Sequence, residues 1–261
     1  MSTKKHVKKV SIYYNDWHEK YLHYYGDTFQ AHRPKNIEEL HSYLFRQIGF
    51  CDGENVLDAG CGVCGPAISF AKKCNIHIEA LTNSDKQILE ANHLITKESL
   101  NSRIHTNYGD FHELDKIFPP ESFDRIYFLE SFGHAKNKRA VIESAWKVLK
   151  YNGTLYIKDY FSNEITGNIK RKWLMKRAIK RMNKLYSYKL SDLYFTLKIL
   201  RKLDSRIRFI GSPQYTLSNE SVVNVFEKEN KIDLFNSDYM PIIVDPFEIK
   251  IEKIIRDVRI Y

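Results

Sequence analysis

The sequence predicts an α/β fold: a doubly wound, mostly parallel sheet, with a helical lid before it and a helical cap inserted near its end. Three observations carry this. Between residues 51 and 160, short apolar runs alternate with amphipathic helical stretches, which is the pattern of βαβ units. The first of those runs leads straight into a glycine-rich turn and a helix start. On either side the periodicity is helical, with no internal repeat and no low-complexity segment.

Taken in order, residues 1–50 are rich in tyrosine, histidine and charge, and Ile37, Leu40, Tyr43, Leu44 and Ile48 recur at helical spacing. This stretch is read as the N-terminal helical lid, its first ten residues, MSTKKHVKKV, as a solvated basic tail. The core, 51–160, offers strands at Asn55–Asp58, His77–Leu81, Ile104–Tyr108, Phe123–Leu129 and Thr154–Asp159. Helices such as Lys86–Thr96 and Lys138–Leu149 separate them. Residues 161–215 read as helices of a cap or substrate region, with Trp173, Leu174, Ile179, Met182 and Leu185 at helical spacing. Residues 216–261 are expected to complete the sheet, through a helix at Asn219–Glu229, a strand at Ile232–Tyr239 and an apolar, charged segment at Phe247–Tyr261.

Composition narrows the function classes. Hydrophobic residues are 43% of the 261, enough for a core. No apolar run approaches the roughly 20 residues of a membrane span, and no apolar segment follows the basic N-terminus as in a secretion signal. The four cysteines, Cys51, Cys61, Cys64 and Cys74, are expected to be free thiols in a cytoplasmic protein. The Cys61/Cys64 spacing has no second pair to make a metal site, so no bound metal is expected there. A net charge of +9, with a basic run from Lys170 to Lys184, admits an anionic partner, though the plain reading of such a run is a solvated face.

The informative residues fall where such a sheet binds ligands, beyond the carboxyl ends of its strands. In Asn55-Val-Leu-Asp-Ala-Gly-Cys-Gly-Val-Cys-Gly-Pro66, Gly60 and Gly62 let the backbone turn sharply and approach a ligand. The helix after this turn aims its free N–H groups at that ligand. A P-loop is excluded, because no Gly-Lys-Ser/Thr closes the turn.

These residues resemble the class I S-adenosylmethionine-dependent methyltransferases, and within them the branch of sterol and prenyl C-methyltransferases. The branch's loop reads V-G-C-G-V-G-G-P where this chain has Ala59-Gly-Cys-Gly-Val-Cys-Gly-Pro66, with Cys64 in place of a glycine and set to crowd the cofactor's amino-acid end. Its T-I-N-E-x-Q matches Thr82-Asn-Ser-Asp-Lys-Gln87. Its S-F-D-x-V-Y-x-I-E-A-T-C-H-A matches Ser122-Phe-Asp-Arg-Ile-Tyr-Phe-Leu-Glu-Ser-Phe-Gly-His-Ala135. The likeness covers about residues 10–160. It implies a seven-stranded, Rossmann-like sheet and S-adenosyl-L-methionine as cofactor, leaving as S-adenosyl-L-homocysteine.

It also implies a set of site residues. Asp58, Gly60, Cys61 and Gly62 would hold the cofactor's amino-acid end, with Asp58 on the ammonium group. Thr82, Asn83, Ser84 and Gln87 would serve the ribose hydroxyls, Asp110 and Phe111 the adenine, and Glu130 the space beside the methyl group. Glu130 and His134 are the catalytic candidates: a buried glutamate is costly unless paired, so its place at a strand end points to function, while His134 could equally cap the next helix. Tyr14, Tyr24, Tyr25, Phe29, Asp159 and Tyr160 are candidates for the acceptor site, with ordinary core packing as the alternative for the aromatics.

The function expected is C-methylation of an isoprenoid or lipid-like small molecule, a prenyl diphosphate or sterol-like alkene. Mg would enter only with a diphosphate. N- or O-methylation of a small metabolite is the alternative, and RNA methylation a weaker one, since no N-P-P-Y-type segment follows the fourth strand. The partner expected is a small molecule, anionic or lipid-like, with no nucleic acid. Peripheral contact with a membrane is open, and the oligomeric state is not indicated.

Overall fold

The computed structural model describes residues 2–215, 222–232 and 244–254. Seven strands form one sheet in the order β3-β2-β1-β4-β5-β7-β6. They are β1 (Asn55–Ala59), β2 (His77–Thr82), β3 (Ile104–Tyr108), β4 (Phe123–Leu129), β5 (Leu149–Ser162), β6 (Ser205–Gly211) and β7 (Val244–Lys253). β1 to β5 run parallel, and β7 lies antiparallel between β5 and β6.

Side chains alternate across each strand, so neighbouring apolar residues supply opposite faces of the sheet. Val56, Ile78, Tyr127 and Tyr156 enter one core, shared with α2 (Ile37–Ile48), α3 (Gly65–Lys73) and α4 (Asp85–Lys97). Leu57, Ile126, Phe128 and Ile157 enter the other, shared with α5 (Leu114–Ile117), α6 (Lys138–Val148) and α8 (Leu193–Leu200). Helices therefore cover both faces, and strand order reverses between β1 and β4. A third cluster caps the sheet's carboxyl edge. It joins Tyr21 and Tyr25 of α1 (Thr3–Tyr25), Met182 of α7 (Ile169–Leu185) and Phe226 of α9 (Val222–Glu229).

Three expectations are corrected. The N-terminal residues are not a tail: Ser2 caps α1, accepting from the Lys5 N–H at 3.3 Å, and His6 and Val10 are buried. The stretch 161–215 is not all helical, because β6 forms the sheet's edge. Its Arg206 and Arg208 pair with Glu252 at 3.8 and 2.6 Å, a charged edge that discourages further strand pairing. On α7, Trp173 of the apolar row is exposed, and the residues that bury are Met175 and Met182. The strand expected at Ile232–Tyr239, apart from Ile232, and the last residues of Phe247–Tyr261 lie outside the described residues, as do the first three of the helix at Asn219–Glu229, which is seen from Val222. Among the described residues, no helix is long and apolar enough to cross a membrane.

Candidate functional site

A pocket opens at the switch in strand order, walled by the ends of β1, β2, β3 and β4 and covered by α1. After β1 the chain turns at Gly60, with φ +107°, and a Cβ there would lie 2.3 Å from the Ser131 Cβ. Gly62, at φ +56°, sits under the Phe29 ring, and a Cβ on Gly65 would meet the Asp27 carbonyl at 2.3 Å. The spacing of these glycines is G-x-G-x-x-G, shared with dinucleotide turns, so the loop alone leaves the ligand class open. Cys64 takes the left-handed backbone (φ 68°) but turns its thiol into the core, and it does not crowd the pocket. The Cys61 thiol is raised by its hydrogen bond with Cys64 and by burial, so it stays protonated.

Asp58 is 2% exposed and lines the pocket floor. Burial pushes its carboxyl up to about 7, opposed only by the hydrogen bond that the Tyr127 hydroxyl donates at 3.0 Å. Gln30 lines the wall, and its buried amide Nε2 has no partner among the described residues. A buried carboxylate and a buried donor, both without a full complement of partners, mark a place for a ligand with a cation and an acceptor close together.

The end of β4 supplies the strongest electrostatic feature. Glu130 sits at φ +56°, an uncommon backbone for a glutamate. Its Oε1 meets the Lys158 Nζ at 2.5 Å, with the two side chains 3% and 0% exposed. Lys158 also donates to the Gln30 side chain at 2.9 Å and to the His32 carbonyl at 2.8 Å. The amides of Ala31 and His32 donate to Glu130 at 2.6 and 3.1 Å. Glu130 is thus a fixed, paired carboxylate that ties the loop between α1 and α2 over the pocket, not a free base.

His134 comes next, in the same turn. Its Nδ1 lies 3.3 Å from the Ser187 carbonyl, which can only accept, so that nitrogen carries the proton. Its Nε2, 2.8 Å from the Tyr14 oxygen, therefore accepts from the phenol. Burial holds the ring down to about 3, leaving it neutral at ordinary pH. Beyond Tyr14, Phe29 and Glu130 lies a second cavity, walled by Tyr21, Tyr25, Tyr160, Tyr186 and Tyr188. Burial raises the tyrosine hydroxyls there, so all remain neutral phenols.

The structure brings together in the first pocket Asp58, Gly60, Cys61, Gly62, Thr82, Asn83, Gln87, Asp110, Phe111, Glu130, His134, Tyr14 and Phe29. Tyr25 and Tyr160 wall the second cavity. Three candidates stand elsewhere. Ser84 is buried as the cap of α4, its hydroxyl donating to Asn15 at 2.6 Å. Tyr24 points away from both cavities and donates to Glu229 at 2.5 Å. Asp159 is buried behind the site, accepting from the Gly133 N–H at 2.7 Å, and burial raises its carboxyl. Sequence reasoning missed Val7, Val10, Gln30, Ser131 and His112 in the pocket wall, and Lys158 behind it. Among the described residues, no three histidine, cysteine or acidic side chains converge as a metal set.

A family described as a methyltransferase domain matches residues 51–233. The sterol 24-C-methyltransferase ERG6A of Gibberella zeae is 34% identical over 159 residues, 58% of this chain and 41% of that protein. The chain therefore spans about two-fifths of the length of this curated relative. Among solved structures, the [4+2]-cyclase SpnF superposes with a TM-score of 0.74 at 15% identity, covering 95% of this chain and 97% of SpnF. The geranyl diphosphate C-methyltransferase of Streptomyces coelicolor A3(2), solved with Mg2+, geranyl diphosphate and S-adenosyl-L-homocysteine, superposes with a TM-score of 0.68 at 14% identity, covering 84% of this chain and 79% of the other. At these identities the structural likenesses speak for the fold, and the chemistry must be argued from the site.

Proposed function

The chain belongs to the methyltransferase-domain family, and we propose that it takes S-adenosyl-L-methionine as cofactor and methylates a carbon of a sterol-like or prenyl acceptor. Bound cofactor supplies an electrophilic methyl group on a sulfonium, and the chain's own groups bind and orient it. Asp58 receives the ammonium of the cofactor's amino-acid end, and Gln30 with the α3 N-terminus receives its carboxylate. Thr82, Asn83 and Gln87 face the ribose, and Asp110 and Phe111 face the adenine.

One observation carries the choice of a carbon acceptor. The cavity that shares Tyr14, Phe29 and Glu130 with the cofactor pocket is walled by neutral tyrosines and the Lys158-paired Glu130 carboxylate. Methylating an alkene leaves a carbocation, which aromatic faces stabilise without capturing it. An amine or hydroxyl acceptor calls instead for a base that titrates near neutrality, and the buried His134 ring does not. The alternative of N- or O-methylation becomes an outcome of the test. Such an acceptor is a lipid-like small molecule. With four free cysteines to keep reduced, we place the protein in the cytoplasm.

The test is label transfer from methyl-labelled cofactor to a panel of prenyl diphosphates, sterols, phenols and amines, read by mass spectrometry. Label on a prenyl or sterol carbon is the expected result. Label on nitrogen or oxygen alone would overturn the reading.

Cofactor binding is expected to depend on pH through Asp58. The ammonium needs the ionised carboxylate, and burial raises that carboxyl to about 7. Affinity should therefore be full at alkaline pH and fall as pH drops through 7, by roughly ten-fold between pH 8 and 6. Calorimetric titration with S-adenosyl-L-homocysteine measures this, and Asp58→Asn should bind more weakly with the slope gone.

A further inference from the structure

Beside the tyrosine cavity lies a groove whose walls carry six lysines from separate parts of the chain. Lys9 comes from α1, Lys136 from the turn before α6, Lys176, Lys180 and Lys184 from α7, and Lys189 from the segment after it. The four-residue steps along α7 set its three lysines on one face of the helix. Among the described residues, no acidic side chain lines the groove. Among the described residues, none of the six lysines takes part in an ion pair. Six like charges around one concavity repel one another, and no described side chain in its lining offsets them. The field registers on His6 in the same wall: burial lowers its ring first, and Lys136 and Lys9 push the same way.

The groove's position gives it a use. Tyr188 is a wall of both the groove and the tyrosine cavity. Its ring lies 4.3 Å from that of His134, centroid to centroid, and the His6 Nε2 is 3.0 Å from the His134 carbonyl oxygen. Tyr188 therefore stands between the lysine groove and the tyrosine cavity, and Tyr14, Phe29 and Glu130 stand between that cavity and the cofactor pocket.

We propose that the lysine groove is the subsite for a phosphate or diphosphate head group of the methyl acceptor, whose apolar chain passes Tyr188 into the tyrosine cavity. The proposal rests on the carbon-acceptor reading and narrows it to phosphorylated amphiphiles. A single carboxylate would be met by one or two ammonium groups. Six suit the concentrated charge of a phosphate or diphosphate, which lysines bind as point charges.

The experiment uses the full chain loaded with S-adenosyl-L-homocysteine and titrated with inorganic pyrophosphate. Wild type is expected to bind, more weakly as salt rises. The variant Lys180→Ala/Lys184→Ala is expected to lose ten-fold or more in pyrophosphate affinity while holding S-adenosyl-L-homocysteine as wild type does, which shows the fold intact. No pyrophosphate binding by wild type, or equal binding by the variant, overturns the proposal. Sedimentation with vesicles of phosphatidylcholine, with and without phosphatidylserine, separates the other source of phosphate. Binding to anionic vesicles without binding to pyrophosphate assigns the lysines to a membrane surface and likewise overturns it. Turnover of farnesyl diphosphate against farnesol then tells the two readings apart. Methylation of sterols or farnesol without pyrophosphate binding leaves the carbon acceptor standing and removes the subsite. Pyrophosphate binding that the lysine variant loses, with label only on amines, does the reverse.

Discussion

Lys158→Met is expected to cost about 3–5 kcal/mol of stability, because it strands the Glu130 carboxylate in a site that excludes water. For a chain of this length that corresponds to a fall in Tm of roughly 10 °C. The pair sits at the centre of a small network. Lys158 also donates to Gln30 and to the His32 carbonyl, and Glu130 also receives two backbone N–H groups of the same loop. Losing the lysine therefore frees the loop that carries Phe29 and Gln30 over the cofactor pocket, so cofactor affinity should fall with stability. Glu130→Gln alone should also destabilise, since it leaves the ammonium unpaired. The double variant Lys158→Met/Glu130→Gln removes both charges, and its loss should be well below the sum of the two single losses. Thermal unfolding of the four proteins measures this. Additive losses would mean that the ion pair contributes nothing as a pair.

How much of the fold and site is legible in the sequence depends on whether a residue's reason is local. The glycine turn can be read because its constraint is written in the chain: Gly60 must pass within contact of Ser131, and no other residue fits at φ +107°. The ends of β2, β3 and β4 can be read because each strand stops at a polar run facing the pocket. Lys158 cannot. A single lysine in an apolar strand looks like a solvent-facing residue, and its partner is 28 positions away. The helix α1 is hidden by its lysines and histidines. Its buried face mixes His6 and His18 with Val10, Tyr21 and Tyr25, so the inward stripe does not read as apolar. In β6, the alternation Arg206-Ile207-Arg208-Phe209 is the signal of an edge strand, masked by the helical neighbours on either side. Ser84 and Tyr24 are polar residues near a strand end and in the lid, as the site would require. Which way they turn is decided by Asn15 and Glu229, partners that nothing in their own sequence neighbourhood announces.

Tyr14→Phe is expected to reduce kcat by about 10²–10³-fold if the acceptor is a carbon. The phenol bridges the tyrosine cavity and His134, donating to Nε2 at 2.8 Å while Nδ1–H is held by the Ser187 carbonyl. A carbocation formed in the cavity must lose a proton. The Tyr14 oxygen can take it while passing its own proton to His134. A ring held down to about 3 is a weak base, too weak to activate an amine or hydroxyl, yet a carbocation is acid enough to protonate it. The effect should lie in kcat, because the change removes one hydrogen bond, worth about 1 kcal/mol of stability. His134→Asn should cost about as much, and the double variant little more than either alone, since the two groups act as one relay. At saturating cofactor, kcat should be flat from pH 5 to 9, because His134 stays neutral throughout that range and the phenol is raised by burial. An acidic limb near pH 6.5 that vanishes in His134→Asn would instead show an ordinary titrating base, and would move the assignment to a nitrogen or oxygen acceptor.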